Sequence, residues 1–458
     1  MTKTTDLPLD LGLVAAIAVV LAIPIISRVA RHQFDPFEPI VVFACAYGVM
    51  FVARPASMLA SNHLAYDGPQ RSTGVSGTFS EMLVLALLGA LGFVVGYELS
   101  LGPRLAKRLR APHHHDVRRL VVAALAAAGL AIVSFLVFLG SSPNEFSTLN
   151  LILRGRSTEL SQMIANTSFY VWFSFLLLVP AVLVLVAVGL DRGNKRFLLA
   201  ALPLAALFLF RTVPLGDRTV LLAFVGGLVV LYYVTRGTRP SLTAILALLA
   251  VALVGSAFLS DLRGRGTRNE SVSQTIVRSL HPDRIASPFT SGPDSEMAPV
   301  FAAALTVIPE RLPHTYGSTI FGDLVARPIP RALWSDKPEP PRDALITRLW
   351  PVEGKDRIIN PEFSVLLYFY WDFGAPGIVI GLLLYGIGAR LLFEYFKRYR
   401  FSVGAQVIYS LALWFIVIGL RDSPVDTLVL ATFIVFPAWL VFRLAPDREM
   451  RALVPASQ

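Results

Sequence analysis

Residues 120–139 read LVVAALAAAGLAIVSFLVFL, a run without a single charged side chain. An α-helix rises about 1.5 Å per residue, so a run of this length crosses the hydrocarbon layer of a bilayer, which is about 30 Å thick. Comparable apolar runs recur along the chain, at 11–27, 37–52, 79–99, 169–190, 197–210, 219–234, 242–260, 373–395, 403–420 and 427–444. The pattern predicts an all-α polytopic membrane protein with about eleven transmembrane helices.

The composition agrees with a membrane protein and disfavours several other classes. Of 458 residues, 55% are hydrophobic and 16% are charged, whereas a soluble protein carries about 25% charged residues. The single cysteine, Cys45, excludes a disulfide within the chain and a cysteine metal cluster. The net charge of +10 lies mostly in the loops between apolar runs. We therefore interpret it as a topology signal, and no nucleic-acid partner is expected.

Basic residues divide the predicted loops into two sets that alternate along the chain. One set holds 18 Lys and Arg residues, and the other short loops hold 8. Because basic loops remain on the cytoplasmic side of a membrane, the first set is predicted to be cytoplasmic. The N-terminus is then external and the C-terminus cytoplasmic.

The longest connection, residues 261–362, lies between the eighth and ninth runs, and the alternation of sides places it outside. Such long loops usually carry function. Within it, residues 295–307 are mostly apolar but too few to span, which predicts a helix at the interface or a re-entrant helix. The chain is thus divided into 1–260 with spans one to eight, the large external loop 261–362 forming part of the active site, and 363–458 with spans nine to eleven and a cytoplasmic tail.

Arginines gather at the predicted outer ends of spans six to eight. Arg211 and Arg218 flank the connection between spans six and seven beside Asp217, and Arg263 and Arg265 follow span eight. Charges beside spans are costly unless they pair or reach water, which makes each a functional candidate. A guanidinium there would suit phosphate, which it binds bidentately. The alternative is that Asp217 pairs with an arginine, and that the arginines end helices or touch lipid headgroups.

The large loop contains a stiff, basic and aromatic element. Residues 328–338 read PIPRALWSDKP, so that Arg331, Trp334 and Lys337 recur at intervals of three. Trp334 could stack on the face of a sugar or lie at the headgroup level as an anchor.

Two carboxylates lie near the outer end of span nine. Either Glu362 or Asp372 could act as a general base, although Asp372 could equally cap the N-terminus of a helix. Tyr370 and Trp371 adjoin Asp372 and are expected, with Trp334, to stack on sugar rings. No phosphate-cradling glycine loop with its lysine, HExxH or paired-histidine pattern occurs, so neither an ATP motor nor a metal or other cofactor is expected.

Together these features resemble the oligosaccharide repeat-unit polymerase family, the Wzy-type O-antigen polymerases, over residues 211–444. The resemblance rests on GDRT at 216–219, IPRALWSDKP at 329–338 and YWDFGAPGIVIG at 370–381. It implies a glycosyltransferase of the cytoplasmic (inner) membrane that transfers a polyprenyl-diphosphate-linked glycan onto the next lipid-linked repeat unit at the outer face. The family is similar in architecture to the O-antigen ligases, which use the same donor.

The resemblance also implies roles for individual residues. Members are thought to need no metal, with arginines holding the diphosphate, a duty that would fall here to Arg218, Arg263, Arg265, Arg331 and Lys337. The expected partners are lipid-linked glycans and membrane lipid, and a protein that regulates chain length is compatible with this function. Members often carry a glutamate one helical turn ahead of the FG pair. This chain has LLYFY at 366–370 instead, so Glu362 is the nearest substitute and Asp372 remains an alternative base.

Three other functions compete with polymerisation. An O-antigen-ligase-like enzyme would use the same donor. A metal-dependent glycosyltransferase that uses a polyprenyl-phosphate sugar would need paired acids in an early external loop, and the 53–78 loop offers Asp67 as its one candidate. A secondary transporter would commonly show internal repeats and mid-membrane charges, whereas the charges here gather at the outer ends of spans.

Overall fold

The protein was analysed as a computed structural model, which confirms an all-α polytopic membrane protein. About 80% of the chain is helical, and in the part that the structure describes a single hairpin pairs the strands Ala65–Asp67 and Ser72–Gly74. The described residues are 6–67, 72–109, 116–140, 145–155, 160, 163, 169–263, 271–290, 296–329, 333–334, 336–338, 341–349 and 362–444.

Ten helices among these residues are long and apolar enough to cross a membrane. They match ten of the eleven apolar runs, because apolar run length is what a bilayer selects. The ends agree to within a few residues, except that Pro39–Ala60 ends eight residues after the run 37–52 and Val365–Arg398 begins eight residues before the run 373–395. The ten spans are Leu7–Ala30, Pro39–Ala60, Phe79–Glu98, Val117–Gly140, Tyr170–Asp191, Arg218–Arg236, Leu242–Leu262, Val365–Arg398, Val403–Arg421 and Pro424–Arg443.

The remaining run, 197–210, also forms a helix, Lys195–Thr212, but its 18 residues include basic side chains at both ends. It lies along the preceding span over most of its length. At one end a Cβ on Gly189 would lie 2.8 Å from the Leu198 side chain. At the other end the rings of Phe175 and Phe208 are 6.3 Å apart. A helix of 18 residues is about 27 Å long, somewhat shorter than the neighbouring span of 22 residues.

Several spans are assembled from shorter helical pieces: Pro39–Gly48 with Arg54–Ala60, Phe169–Ser174 with Leu178–Asp191, Arg218–Leu221 with Gly227–Arg236, and Val403–Ala412 with Phe415–Arg421. At two other spans the helix extends one residue beyond the span, so that its full bounds are Leu242–Arg263 and Pro424–Leu444. Wider π turns occupy Val49–Ala53, Leu222–Gly226 and Ser318–Gly322, and Phe175–Leu177 is a 3-10 turn. The short helices are Leu101–Arg108, Glu145–Arg154, Val272–Ser279, Pro282–Thr290, Met297–Leu305, Asp323–Ala326 and Pro341–Leu349.

The chain folds into two compact units, each built from three separate stretches. Unit 1 comprises Met1–Arg104, Ala286–Leu391 and Ile416–Thr427. Unit 2 comprises Leu105–Ile285, Leu392–Phe415 and Leu428–Gln458. The division does not follow the segments 1–260, 261–362 and 363–458, because the large loop contributes residues to both units.

Within unit 1, the Phe79–Glu98 helix packs closely against the later half of Val365–Arg398. A Cβ on Gly96 would collide with the backbone of Leu383, and a Cβ on Gly386 would collide with the carbonyl of Phe93. Small residues let two backbones approach closely, which is a common way for membrane helices to associate. The glycines of this contact therefore allow the Val365–Arg398 helix to pack directly against the early Phe79–Glu98 span.

The apolar stretch predicted at 295–307 forms the helix Met297–Leu305, and all nine of its residues are buried inside unit 1. The hydroxyl of Thr78 donates to the carbonyl of Ala302 at 2.7 Å. Nine residues extend about 13 Å, too short to cross a bilayer. This helix, which belongs to the part of the large loop in unit 1, is therefore part of the core of unit 1. The loop segments that follow it are anchored to that core.

Candidate functional site

The helix Val365–Arg398 is broken at Gly374, and the break organises one end of unit 1. Gly374 has φ 63° and ψ −156°, a conformation that is essentially restricted to glycine. The helix begins at Val365, eight residues before the start of the span predicted at 373–395. Just before the break, the carbonyls of Trp371 and Asp372 accept the N–H groups of Thr315 and Tyr316 at 3.1 and 3.0 Å. A segment of the large loop is thus held against the broken helix.

The Asp372 side chain holds the same loop segment. One carboxylate oxygen, Oδ1, accepts hydrogen bonds from the Thr315 hydroxyl and from the N–H of Thr319, the latter at 3.2 Å. Asp372 is 0% exposed, and its other oxygen, Oδ2, has no hydrogen-bond partner among the described residues. The carboxylate therefore positions a distant part of the chain, and in this structure a substrate hydroxyl has no open approach to it.

Tyr370 and Trp371, predicted to stack on sugars, are both buried. The Tyr370 ring lies edge-on to the rings of His314 and Phe301, at centroid distances of 5.6 and 6.0 Å. The Tyr370 hydroxyl donates to Glu81 at 3.4 Å. Protein side chains thus occupy the surroundings of the Tyr370 ring. Trp334, by contrast, is 38% exposed, which leaves part of its ring open to a ligand.

Glu362, one of the two predicted candidates for the general base, forms an ion pair with Arg421. The Nη2 atom of Arg421 lies 3.0 Å from Oε1 of Glu362, and both side chains are largely enclosed. Arg421 ends the Val403–Arg421 span, and Glu362 precedes the broken helix. The carboxylate and the cation are therefore brought together from two separate parts of unit 1.

A second arginine, Arg327, is held between two carboxylates. Its Nη2 lies 2.6 Å from Asp323 and its Nη1 lies 2.9 Å from Asp426. The pKa of Arg327 is raised: burial acts to lower it, but the hydrogen bond to Asp323 and the charge of Asp426 outweigh that effect. The Lys337 ammonium donates to the carbonyls of Arg327 and Ile329 at 3.3 and 3.0 Å. Arg327, Lys337 and Arg421 thus all lie in unit 1, in the large loop or at the end of a span, and we name this set the unit 1 cation group.

Exposed apolar side chains accompany the unit 1 cation group along the same loop segment. They are Phe321, Leu324, Val325, Leu333 and Trp334, and we name them the apolar patch. Phe321, Leu324 and Val325 precede Arg327 by two to six positions, and Leu333 and Trp334 precede Lys337 by three to four. Exposed apolar side chains on a segment that also carries cations would suit an amphiphile with an anionic head.

The arginine at the end of the Lys195–Thr212 helix, in unit 2, is engaged in packing. Arg211 is 3% exposed. Its guanidinium carbon lies 3.8 Å from the ring centroid of Trp172 and 4.2 Å from that of Phe175. Its Nη2 donates to the Trp172 carbonyl at 3.3 Å. Cation–π contacts of this kind compensate a buried guanidinium, so the structure gives Arg211 a packing role in unit 2.

Arg218 lies beside the end of the Leu242–Arg263 helix, because its Nη1 donates to the Ser260 hydroxyl at 3.0 Å. On the same helix, buried Asp261 forms an ion pair with Arg278 at 3.7 Å. Arg263 is the last residue of that helix, whereas the predicted phosphate ligands Arg265 and Arg331 lie outside the described residues. Unit 2 thus brings Arg218 close to the chain position of Arg263.

Arg327 is not among the candidates predicted from the sequence, and Arg421 entered the prediction solely as one of the loop charges. In each case the sequence contains a feature that marks the arginine as a possible site residue. Arg327 immediately precedes the proline-rich element, and Arg421 lies in a very short connection between two spans. Asp323, one partner of Arg327, is only four residues away, but Asp426 and Glu362 come from distant sequence positions, so these two pairings were not readable from local patterns.

No match to this chain is found among models of known protein families, curated proteins or solved structures. Across the residues that the structure describes, no three His, Cys, Asp or Glu side chains form a group that could hold a metal ion. Functional inference therefore rests on the side chains themselves.

Proposed function

We propose that this chain is a membrane glycosyltransferase that polymerises polyprenyl-diphosphate-linked oligosaccharide repeat units on the outer face of the cytoplasmic membrane, without a metal ion. The supporting observation is the unit 1 cation group, Arg327, Lys337 and Arg421, together with the apolar patch on the loop segment that carries Arg327 and Lys337. The oligosaccharide polymerase resemblance is carried by the same part of the chain. It supplies the reaction, and the cation group supplies a place for the donor's diphosphate.

The diphosphate would be held by guanidinium forks. Arg327 and Arg421 are already bound by the carboxylates of Asp323, Asp426 and Glu362, which are oxygen acceptors of the same geometric type as a phosphoryl group. At Arg421 a dianionic ligand competes with Glu362 because it offers more charge than that single carboxylate. Lys337 adds a point charge beside Arg327 once its bonds to backbone carbonyls are exchanged for phosphate.

The lipid tail and the sugar would occupy neighbouring surfaces. The apolar patch offers Phe321 and Val325 for a polyprenyl chain, since burial of apolar surface is favourable by roughly 25 cal/mol per Å². The partly open ring of Trp334 is suited to the apolar face of a sugar. Tyr370 and Trp371 support the site from inside the protein, where they are buried.

In the proposed reaction, the acceptor hydroxyl oxygen attacks the anomeric carbon of the donor sugar. The bond between that carbon and the diphosphate oxygen breaks, and the polyprenyl diphosphate leaves with the electron pair. Glu362 takes the proton of the attacking hydroxyl. Because Arg421 is the partner of Glu362, binding of the diphosphate to Arg421 would release the carboxylate for this role. Arginines that balance charge on the leaving group act electrostatically.

The proposal includes an orientation. The distribution of loop charges favours an external N-terminus, a cytoplasmic C-terminus and an external large loop. The site would then meet donors that have already been moved across the membrane. Arg218, Arg263 and Arg265 remain proposed ligands for a diphosphate group in unit 2, and a chain-length regulator remains a proposed partner.

The decisive experiment supplies the purified chain, in detergent, with a synthetic lipid-linked repeat unit. We expect a ladder of glycan products together with released polyprenyl diphosphate. Binding measured by native mass spectrometry should favour undecaprenyl diphosphate over undecaprenyl monophosphate. Equal binding of the two lipids and the absence of a ladder would refute the proposal, while a single transfer to a different acceptor would favour the ligase-like alternative.

A secondary transporter is the second candidate, and one observation favours it. The break at Gly374 in the Val365–Arg398 span, with buried Asp372 beside it, is similar to the interrupted helices of ion-coupled transporters. Uptake of a labelled solute into vesicles containing the chain, without chemical conversion of that solute, would support transport over glycosyl transfer.

A further inference from the structure

We propose that Asp372 and Thr319 of unit 1 bind a single monovalent metal cation, of the size and charge of Na⁺, beside the break at Gly374. The inference is independent of glycosyl transfer, because it follows from the burial and hydrogen bonding of the two side chains. Its consequence is that the cation fastens the loop segment 314–319 to the broken helix.

The first observation is a buried carboxyl group without a positive partner. Asp372 is 0% exposed, and among the described residues it forms no ion pair. The two groups that donate to Oδ1, the Thr315 hydroxyl and the Thr319 N–H, are neutral. The nearby His314 ring has its Nδ1 atom 3.3 Å from the Trp371 carbonyl, not on the carboxylate. Burying an ionised carboxylate is costly unless a cation compensates it.

The second observation is a pair of buried oxygens that both lack partners. Oδ2 of Asp372 and Oγ1 of Thr319 have no hydrogen-bond partner within the described part of the chain, and Thr319 is 4% exposed. The N–H of Thr319 is already bonded to Oδ1 of Asp372 at 3.2 Å, so the two free oxygens belong to directly bonded neighbours. One bound cation would satisfy both.

The chemistry of these ligands selects the class of cation. Carboxylate and hydroxyl oxygens are hard ligands, which suit alkali and alkaline-earth ions better than soft transition metals. A divalent ion would normally recruit two or more carboxylates, whereas this site offers one. A monovalent ion balances a single carboxylate charge.

The backbone around the site is of a kind that can contribute further oxygens. The helix break at Gly374 interrupts the regular hydrogen-bond ladder, and interrupted helices in membranes are places where carbonyl oxygens coordinate Na⁺. On the other side, Gly317 has φ +95° and begins the π turn Ser318–Gly322. The backbone on both sides of the proposed site is thus irregular, and irregular backbone can expose carbonyl oxygens toward an ion.

The test uses thermal unfolding of the full chain in detergent at constant ionic strength, with NaCl replaced stepwise by choline chloride. We expect the unfolding temperature to rise and saturate with Na⁺, because a ligand that binds the folded state stabilises it by mass action. Asp372→Asn and Thr319→Val should each abolish the Na⁺-dependent part of the shift. Thr319→Ser, which keeps the hydroxyl, should retain it. The matched control is Ser364→Ala, which removes another buried hydroxyl of unit 1 that has no described partner, and its Na⁺ response should be unchanged.

Several results would overturn the proposal. One is an unfolding temperature of the unaltered chain that is the same in Na⁺ and in choline. Another is a Na⁺ response that persists in both Asp372→Asn and Thr319→Val, which would place the ion elsewhere. A third is stabilisation by acid in place of Na⁺ that disappears in Asp372→Asn, which would identify a proton as the compensating charge. Should Asp372→Asn fail to fold, the contrast between Thr319→Val and Thr319→Ser decides the matter.

Discussion

The Nη2 atom of Arg421 lies 3.0 Å from Oε1 of Glu362, which joins the last residue of one transmembrane span to the residue that leads into the broken helix. The pair links a cation suited to a diphosphate with the carboxylate that we propose as the general base. One edge of a guanidinium can bind either a carboxylate or a phosphoryl group, but not both at once. Substrate binding and release of the base are therefore coupled in the proposed mechanism.

Replacing the arginines of the unit 1 cation group by lysine should weaken donor binding. Arg421→Lys and Arg327→Lys exchange a bidentate fork for a point charge, and loss of one partner in an enclosed charged contact typically costs about 2–5 kcal/mol. We expect undecaprenyl diphosphate to bind at least about tenfold more weakly, as measured by native mass spectrometry. Arg108→Lys, on an exposed helix outside the group, is the control and should bind normally. Unchanged binding in both Arg327 and Arg421 variants would remove the cation group from the mechanism.

Glu362→Gln should separate chemistry from binding. The amide keeps a similar shape and can still contact Arg421 but cannot accept a proton, and general bases typically contribute about 100-fold or more to rate. The rate of polyprenyl diphosphate release should fall by about that factor, while donor binding remains within a few-fold of the unaltered chain. Glu98→Gln, which alters a carboxylate paired with Arg28 elsewhere in unit 1, should leave the rate unchanged. A Glu362→Gln variant with full activity would require another base.

The orientation of the chain can be tested with introduced thiols. Exposed Ser273 lies in the large loop and exposed Ser241 in a short basic loop. In a Cys45→Ala background, Ser273→Cys should react with an impermeant thiol reagent in intact cells, and Ser241→Cys should react after the cells are permeabilised. Labelling of the Ser241 position alone in intact cells would reverse the assigned sides.

Glycosyl transfer should not depend on a divalent metal. The sequence lacks HExxH and paired-histidine patterns, and a diphosphate held by arginines needs no bridging metal. Product formation from the lipid-linked repeat unit should therefore persist in a strong chelator. Loss of activity with the chelator, followed by recovery on adding magnesium or manganese, would favour the metal-dependent glycosyltransferase.

Two glycine-to-alanine changes should have opposite effects on stability. A Cβ at Gly96 would collide with the Leu383 backbone, whereas a Cβ at Gly129 meets nothing within 4 Å. Overpacking a close contact typically costs about 1–3 kcal/mol, while alanine is favoured over glycine inside a helix by about 1 kcal/mol. Gly96→Ala should lower the unfolding temperature in detergent, and Gly129→Ala should leave it unchanged or raise it. A destabilising Gly129→Ala combined with a neutral Gly96→Ala would contradict the close helix contact.

Some features of the site were accessible from the sequence because they are local. The apolar runs, the proline-rich element with Trp334 and Lys337, and the approach of Glu362 to the span that follows it all depend on residues close together in the chain. The pairing of Arg327 with Asp426 and that of Arg421 with Glu362 join distant segments. No periodicity records such contacts, so these two arginines did not stand out.

By itself, the sequence determined that this is a helical membrane protein and where its spans lie, because a bilayer requires long apolar helices whose backbone hydrogen bonds are satisfied internally. The tertiary structure decided which polar groups are enclosed. It buried Asp372, Tyr370 and Trp371, left Trp334 partly exposed, and packed Arg211 against aromatic rings. The physical reason is that burial and charge pairing depend on what lies across the fold from a residue, and in unit 1 that is set by the glycine contact, the buried Met297–Leu305 helix and the break at Gly374.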